Sequence, residues 1–142
     1  MNDNTKRFSD RVEDYIRYRP NYPEKIVKIL EEKISLDKNK TIADIGSGTG
    51  ISSKLFLKNG CKVIGVEPNK EMREAAQQLL SGFANFKSVN GAAEKTNLPD
   101  ESVDVIFCGQ AFHWFDKEKS KIEFDRILKK NGNIVLVWNS RS

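Results

Sequence analysis

The feature that most restricts this chain is an alternation. Five apolar runs, TIADI (41–45), CKVIGVE (61–67), ANFKSVNG (84–91), SVDVIFCG (102–109) and NIVLVW (133–138), take turns with segments whose apolar residues fall at helical spacing. The fourth and fifth runs are apolar on both faces, so the strands they form need cover on both sides. A parallel sheet flanked by helices supplies that cover; an antiparallel sheet with one wet face does not. The expectation is an α/β sandwich around a parallel sheet, with right-handed crossovers.

Local signals mark where the elements end. Ile26, Leu30 and Ile34 share one face of a helix over 23–35, with Pro23 in its first turn. ISSKLFLKNG reads as a helix stopped by Gly60. Pro68 ends the second strand, Asn69 caps the helix KEMREAAQQLL, and Gly82 closes it. Asp116 caps a helix running through Leu128, and Asn131-Gly132 turns into the fifth strand. No repeat, low-complexity tract or interdomain linker breaks the 142 residues, a length that suits one domain. The first twenty-odd residues are aromatic and charged, and are expected outside the sheet.

Composition then excludes several functions. The net charge is +4, from 24 basic and 20 acidic residues, but the lysines alternate with acids, as in PEKIVKILEEKI and DKEKSKIEFDRILKK. No basic cluster interleaves with aromatics, so a solvated surface is expected and a nucleic-acid face is not. No apolar run approaches the roughly 18 residues of a membrane helix. MNDNTKRFSD lacks the apolar centre of a secretory signal, so a cytoplasmic protein is expected. Cys61 and Cys108 lie in apolar runs and read as reduced, buried thiols. With His113 the sole histidine, a His/Cys zinc site is not expected.

The junction of the first strand and its helix is ADIGSGTG, residues 43–50. In a parallel α/β sheet, ligands bind beyond the carboxyl ends of the strands, at the switch point beside strand one. A triphosphate loop needs GxxxxGK[ST], and no lysine follows the last glycine here. The dinucleotide fingerprint is GxGxxG, whereas these glycines are spaced Gly46-x-Gly48-x-Gly50. Asp44 would repel a pyrophosphate and attract an ammonium group. Glu67, 23 residues further on, stands at the end of strand two, where such folds place an acid for the two hydroxyls of a ribose. An ammonium and a ribose diol together describe S-adenosylmethionine (SAM).

Five segments, FSDRVEDYIRYRPNYP, ADIGSGTG, GVEPNKEM, GAAEKTNLPDESVDVI and QAFHWFD, follow one another in the order and spacing of a known family. From about Phe8 to its end, the chain resembles the class I SAM-dependent methyltransferases. It is most similar to the small-molecule subgroup that includes quinone-biosynthesis and trans-aconitate methyltransferases. The resemblance implies a three-layer Rossmann-like sandwich with strand order 3-2-1-4-5. It also implies an N-terminal lid over residues 1–22, a SAM-binding domain over 23–142 and a small-molecule methyl acceptor.

The family's roles fall on named residues. Asp44 would hold the methionine ammonium, directly or through water, while Gly46, Ser47 and Gly48 let the backbone approach the ligand. Glu67 would bind the ribose, and Pro68, Asn69 and Met72 would line the adenine. Ala92, Ala93 and Glu94 occupy the stretch that contacts the adenine amine. Many relatives carry aspartate where this chain has Ala92, which leaves that contact to backbone groups. Gln110 would face the methionine arm. Arg19, beside Tyr15 and Tyr18 in the lid, would meet the cofactor carboxylate, which a guanidinium matches bidentately. Plainer roles stay open: Asp44 as a cap of the following turn, Met72 as core, and Glu67 or Arg19 as solvated surface.

Methyl transfer from a sulfonium needs alignment and the exclusion of water, and a base only where the nucleophile holds its proton tightly. His113 in AFHWFD is the sole imidazole available, as base, as substrate contact or as a packed structural residue. The family's sheet continues after strand five with a helix and strands six and seven, whereas this chain stops four residues beyond Trp138. A fragment is therefore expected, its fifth strand an exposed edge that pairs with another copy. Two other classes compete: a nicotinamide oxidoreductase, which needs GxGxxG and gains nothing from Asp44, and a non-catalytic SAM-binding or interaction module. An RNA-directed methyltransferase would need a basic stripe that is missing here.

Overall fold

The computed structural model describes residues 24–109 and 116–136, with side chains from Ile26 onward. In chain order these form α1 (Glu24–Ile34), β1 (Thr41–Ile45), α2 (Ile51–Lys58), β2 (Lys62–Val66) and α3 (Lys70–Leu79). Then come β3 (Phe86–Val89), β4 (Val103–Cys108), α4 (Lys117–Ile127) and β5 (Leu128–Leu136). The five strands form one sheet in the order β3-β2-β1-β4-β5, and every neighbouring pair is parallel. This is the expected Rossmann-like arrangement. No helix among the described residues is long and apolar enough to cross a membrane.

The apolar runs are buried on both faces because each face carries its own core. Alternation along β1 sends Ile42 to one side, where it packs with Leu30 and Ile34 of α1, Phe56 of α2, and Leu80 just past α3. Ala43 and Ile45 point to the other side and join Phe124 and Ile127 of α4. Phe56 meets Phe107 of β4 edge to face, with ring centroids 5.0 Å apart, which ties α2 to the sheet. Burying such side chains contributes roughly 1.5–3 kcal/mol each. Two helices begin as their sequences require. The Asn69 side chain accepts from the Met72 N–H, and that of Asp116 accepts from the Lys119 N–H.

Three expectations need correction. First, helices do not separate every pair of strands. Residues 90–102 cross from β3 to β4 with no helix, and side chains hold them in place. Second, β5 begins at Leu128, directly after α4, so Asn131-Gly132 is part of the strand. Pairing jumps from Val103↔Leu128 to Val105↔Asn133, and this irregularity absorbs the extra residues. Gly132 is needed there for its size. A Cβ at that position would lie 2.5 Å from Leu128 Cδ1 and 2.9 Å from the Asp104 carbonyl. Third, α3 ends at Leu79 and is capped by Leu80, ahead of Gly82.

Candidate functional site

The carboxyl ends of β1 and β2 are level, with Ile45 in register with Val66. The loop after β1 folds across the end of β2. The Gly46 N–H donates to the Val66 carbonyl at 2.8 Å, and the Ser47 N–H donates to the same oxygen at 3.4 Å. Glu67, the next residue along, is thereby delivered to the glycine loop. Its carboxylate accepts the Gly48 N–H on Oε1 at 2.8 Å and the Asn69 N–H on Oε2 at 3.1 Å. An ionised carboxylate has about four lone-pair positions. Each oxygen thus keeps one free, and Glu67 can accept two hydroxyls without releasing the loop.

Asp44 stands one strand away on β1, in register with Gly65 on one side and Phe107 on the other. It is 2% exposed, and Ser53 Oγ of α2 donates to its Oδ2 at 2.7 Å. Burial pushes its carboxyl up to about 7; the Ser53 hydrogen bond opposes this, and the charge of Glu67 adds to it. A carboxylate held this way is relieved of its desolvation cost when a proton or a cation arrives. The cap role for Asp44 is not what the fold uses: α2 starts at Gly50 with no side-chain cap. Met72 is 42% exposed, which removes it from the core.

The glycines divide the work of the loop. Gly48 and Gly50 both hold positive φ, at +59° and +93°, a region other residues rarely adopt. An added Cβ at Gly48 would meet nothing within 4 Å, so that glycine faces open space. At Gly50 the same atom would lie 2.8 Å from Leu80 Cδ1 and 3.3 Å from Ala76 Cβ. Gly48 therefore borders open space, and Gly50 lets α2 approach the end of α3.

The stretch after β3 is more committed than the sequence indicates. The Ala92 N–H and carbonyl both bond to Lys95, each at 3.0 Å. Ala93 is fully buried, and Glu94 Oε2 accepts the Asp116 N–H at 2.9 Å. The backbone groups of Ala92 are thus engaged within their own turn, and the Glu94 carboxylate holds the start of α4. Arg19, Gln110 and His113, with Tyr15 and Tyr18, fall outside the described residues.

Sequence reasoning missed the device that shapes this side. Glu123 of α4, nearly buried, accepts the Thr96 N–H and Oγ1–H on Oε2, at 2.8 and 2.7 Å. Arg126 donates to both Glu123 oxygens, to Asp100 Oδ1 at 2.6 Å and to the Leu98 carbonyl at 2.7 Å. Burial pushes the Glu123 carboxyl up, but hydrogen bonds from Arg126 and Thr96 outweigh it and bring it to about 2. These partners lie 26 to 28 residues away along the chain, so no local pattern announces them. Ser53 left a weak trace, the second of two adjacent serines and at helical spacing from the buried Phe56 and Leu57 of α2. Among the described residues no group of His, Cys, Asp and Glu could hold a metal ion.

Comparison with known proteins matches this architecture. The family model described as a methyltransferase domain matches residues 43–136, from the strand that carries Asp44 to the end of β5. An uncharacterized methyltransferase of Schizosaccharomyces pombe is 35% identical over 137 residues, which are 96% of this chain and 53% of that protein. The crystal structure of YcgJ from Bacillus subtilis superposes with a TM-score of 0.70 at 32% identity, covering 78% of this chain and 48% of that one. A SAM-dependent methyltransferase from Aquifex aeolicus superposes with a TM-score of 0.68 at 26% identity, covering 91% and 69%. The chain spans about half the length of the curated relatives it matches.

Proposed function

The chain belongs to the methyltransferase domain family, and from that premise we propose that it binds SAM at the ends of β1 and β2 and passes the methyl group to a small-molecule acceptor. One observation carries the reading. The end of β1 holds a buried acid, Asp44, close enough to feel the charge of Glu67, and Glu67, an acid with spare lone pairs, grips the loop at Gly48, where space is open. The first suits an ammonium and the second a vicinal diol, and both groups belong to the same cofactor. Bound there, SAM supplies a methyl already activated on a sulfonium. The chain's own task is to bind, align and keep water out. Asp44 and Ser53 hold the cationic end, Glu67 takes the ribose, and Pro68, Asn69 and Met72 border the adenine.

On this reading Gln110 serves the methionine arm of SAM, and His113, further along the segment after β4, serves the acceptor as contact or base. A small molecule fits better than a nucleic acid because charges of both signs alternate over the helices and no basic stripe forms. Cys61 and Cys108 are buried and free, which suits the reducing cytoplasm.

Calorimetry with S-adenosylhomocysteine tests the reading. It should bind and raise the unfolding temperature by mass action, whereas NADH should do neither. Glu67→Gln should weaken binding by about 1.5–3 kcal/mol, the range of a hydrogen bond to a charged group. Equal binding of NADH, or an unchanged Glu67→Gln protein, would refute the site.

A further inference from the structure

We infer that Arg73 is a positioning residue for Glu67, aiming its carboxylate at the ribose diol; the inference rests on the cofactor site proposed above. Glu67 lies just past the end of β2, where sheet pairing gives out. Its N–H still reaches the Val89 carbonyl at 3.0 Å, but among the described residues its own carbonyl has no strand partner. Arg73, in the first turn of α3, takes over. One guanidinium nitrogen, Nη1, donates to the Glu67 carbonyl at 3.0 Å and to the Pro68 carbonyl at 2.8 Å. The Arg73 N–H donates to the Asn69 carbonyl at 3.0 Å. A single residue therefore binds three consecutive carbonyls of the turn that carries Glu67.

The remaining groups of that turn are spoken for as well. Pro68 has no N–H and a fixed φ. The Asn69 N–H is held by Glu67 Oε2. Without Arg73, two adjacent carbonyls lose their donor, and the turn from Glu67 to Asn69 is held less firmly against the start of α3. The Asn69 N–H that anchors Glu67 Oε2 would shift with the turn, and the carboxylate would lose the second of the two bonds that aim it. A cation near a helix N-terminus is also disfavoured by the helix dipole, so this placement carries a small cost. The bracket offsets that cost, and a lysine, with one compact charge on a flexible stem, reproduces it only in part.

The consequence is specific to the diol. If Arg73 served stability alone, its loss would weaken every adenosyl ligand equally. If it aims Glu67, its loss erases the preference for a ligand with ribose hydroxyls over one without. The test is titration calorimetry of the protein with S-adenosylhomocysteine and with its 2′,3′-dideoxy analogue. The parent should prefer the diol by roughly tenfold to a hundredfold, as expected for hydrogen bonds to a charged acceptor. Arg73→Met should bring that ratio to within about threefold, Arg73→Lys should fall between, and Arg73→Met should add little to the ratio in a Glu67→Gln background. An Arg73→Lys or Arg73→Met protein that keeps the parent's ratio overturns the inference while leaving the cofactor site standing. A parent that binds neither ligand overturns the cofactor site, and the inference with it. Should Arg73→Met fail to fold, Arg73→Lys alone decides: an intermediate ratio supports the inference and a full one ends it.

Discussion

Asp44 should destabilise the free protein at neutral pH, and replacing it should show by how much. Its carboxyl ordinarily titrates near 3.8 and in the fold is pushed up to about 7, chiefly by burial. At 1.36 kcal/mol per pKa unit, ionised Asp44 costs about 4 kcal/mol of folding free energy, a ceiling that entering water would lower. The sign follows from proton counting. The folded state holds this proton more tightly than the unfolded chain, so stability falls as pH rises from about 4 through about 7. The full cost is present above that window and absent below it. Asparagine cannot ionise and keeps an oxygen for the Ser53 hydroxyl. Asp44→Asn should therefore match the parent at pH 4 and exceed it by about 2–4 kcal/mol at pH 8. Urea unfolding followed by far-ultraviolet circular dichroism at pH 4, 6 and 8 gives the comparison. The same variant should lose affinity for S-adenosylhomocysteine, since the ligand's ammonium is what relieves the charge. The parent should bind this ligand more tightly as pH rises through 7, and the variant should show no such trend. Parallel stability profiles for the two proteins, or a variant weaker than the parent at pH 8, would refute the reasoning.

Two further outcomes follow from the same geometry. Glu123, brought to about 2 in the fold from an ordinary 4.5, contributes about 3 kcal/mol at neutral pH, and that contribution is lost as pH falls from about 4.5 through about 2. Glu123→Gln should be less stable than the parent by about 2–3 kcal/mol at pH 7 and nearly equal to it at pH 2; an equal deficit at both would contradict the ion-pair account. Gly48→Ala and Gly50→Ala should fail in different assays. Gly50→Ala should lose about 2–4 kcal/mol of stability, from the strained φ and the clash with Leu80, whereas Gly48→Ala should lose about 1–2 kcal/mol and surrender ligand affinity instead. Unfolding midpoints and calorimetric titrations of both, compared side by side, would expose a wrong division of labour if Gly48→Ala proved the less stable.

Much of this protein is written locally in its chain. The apolar runs gave the strands, because a residue buried on both faces of a sheet has few alternatives. Asn69 and Asp116 announced their helices, because a cap bonds to an N–H only three residues away. That the loop at 43–50 and Glu67 would meet was also legible, since both lie at the ends of strands expected to be neighbours. What the sequence could not announce are the bonds that close over long separations. The crossover at 90–102 reads as a gap in the alternation, and it is fixed by Glu123 and Arg126 reaching back to Thr96, Leu98 and Asp100. Nor does any spacing say that Glu94 holds the start of α4, or that Arg73 binds the carbonyls beside Glu67. Periodicity records which face a side chain turns to the core. Which distant backbone group a charged side chain then satisfies is settled only once the layers have packed, because folding alone brings the two within 3 Å.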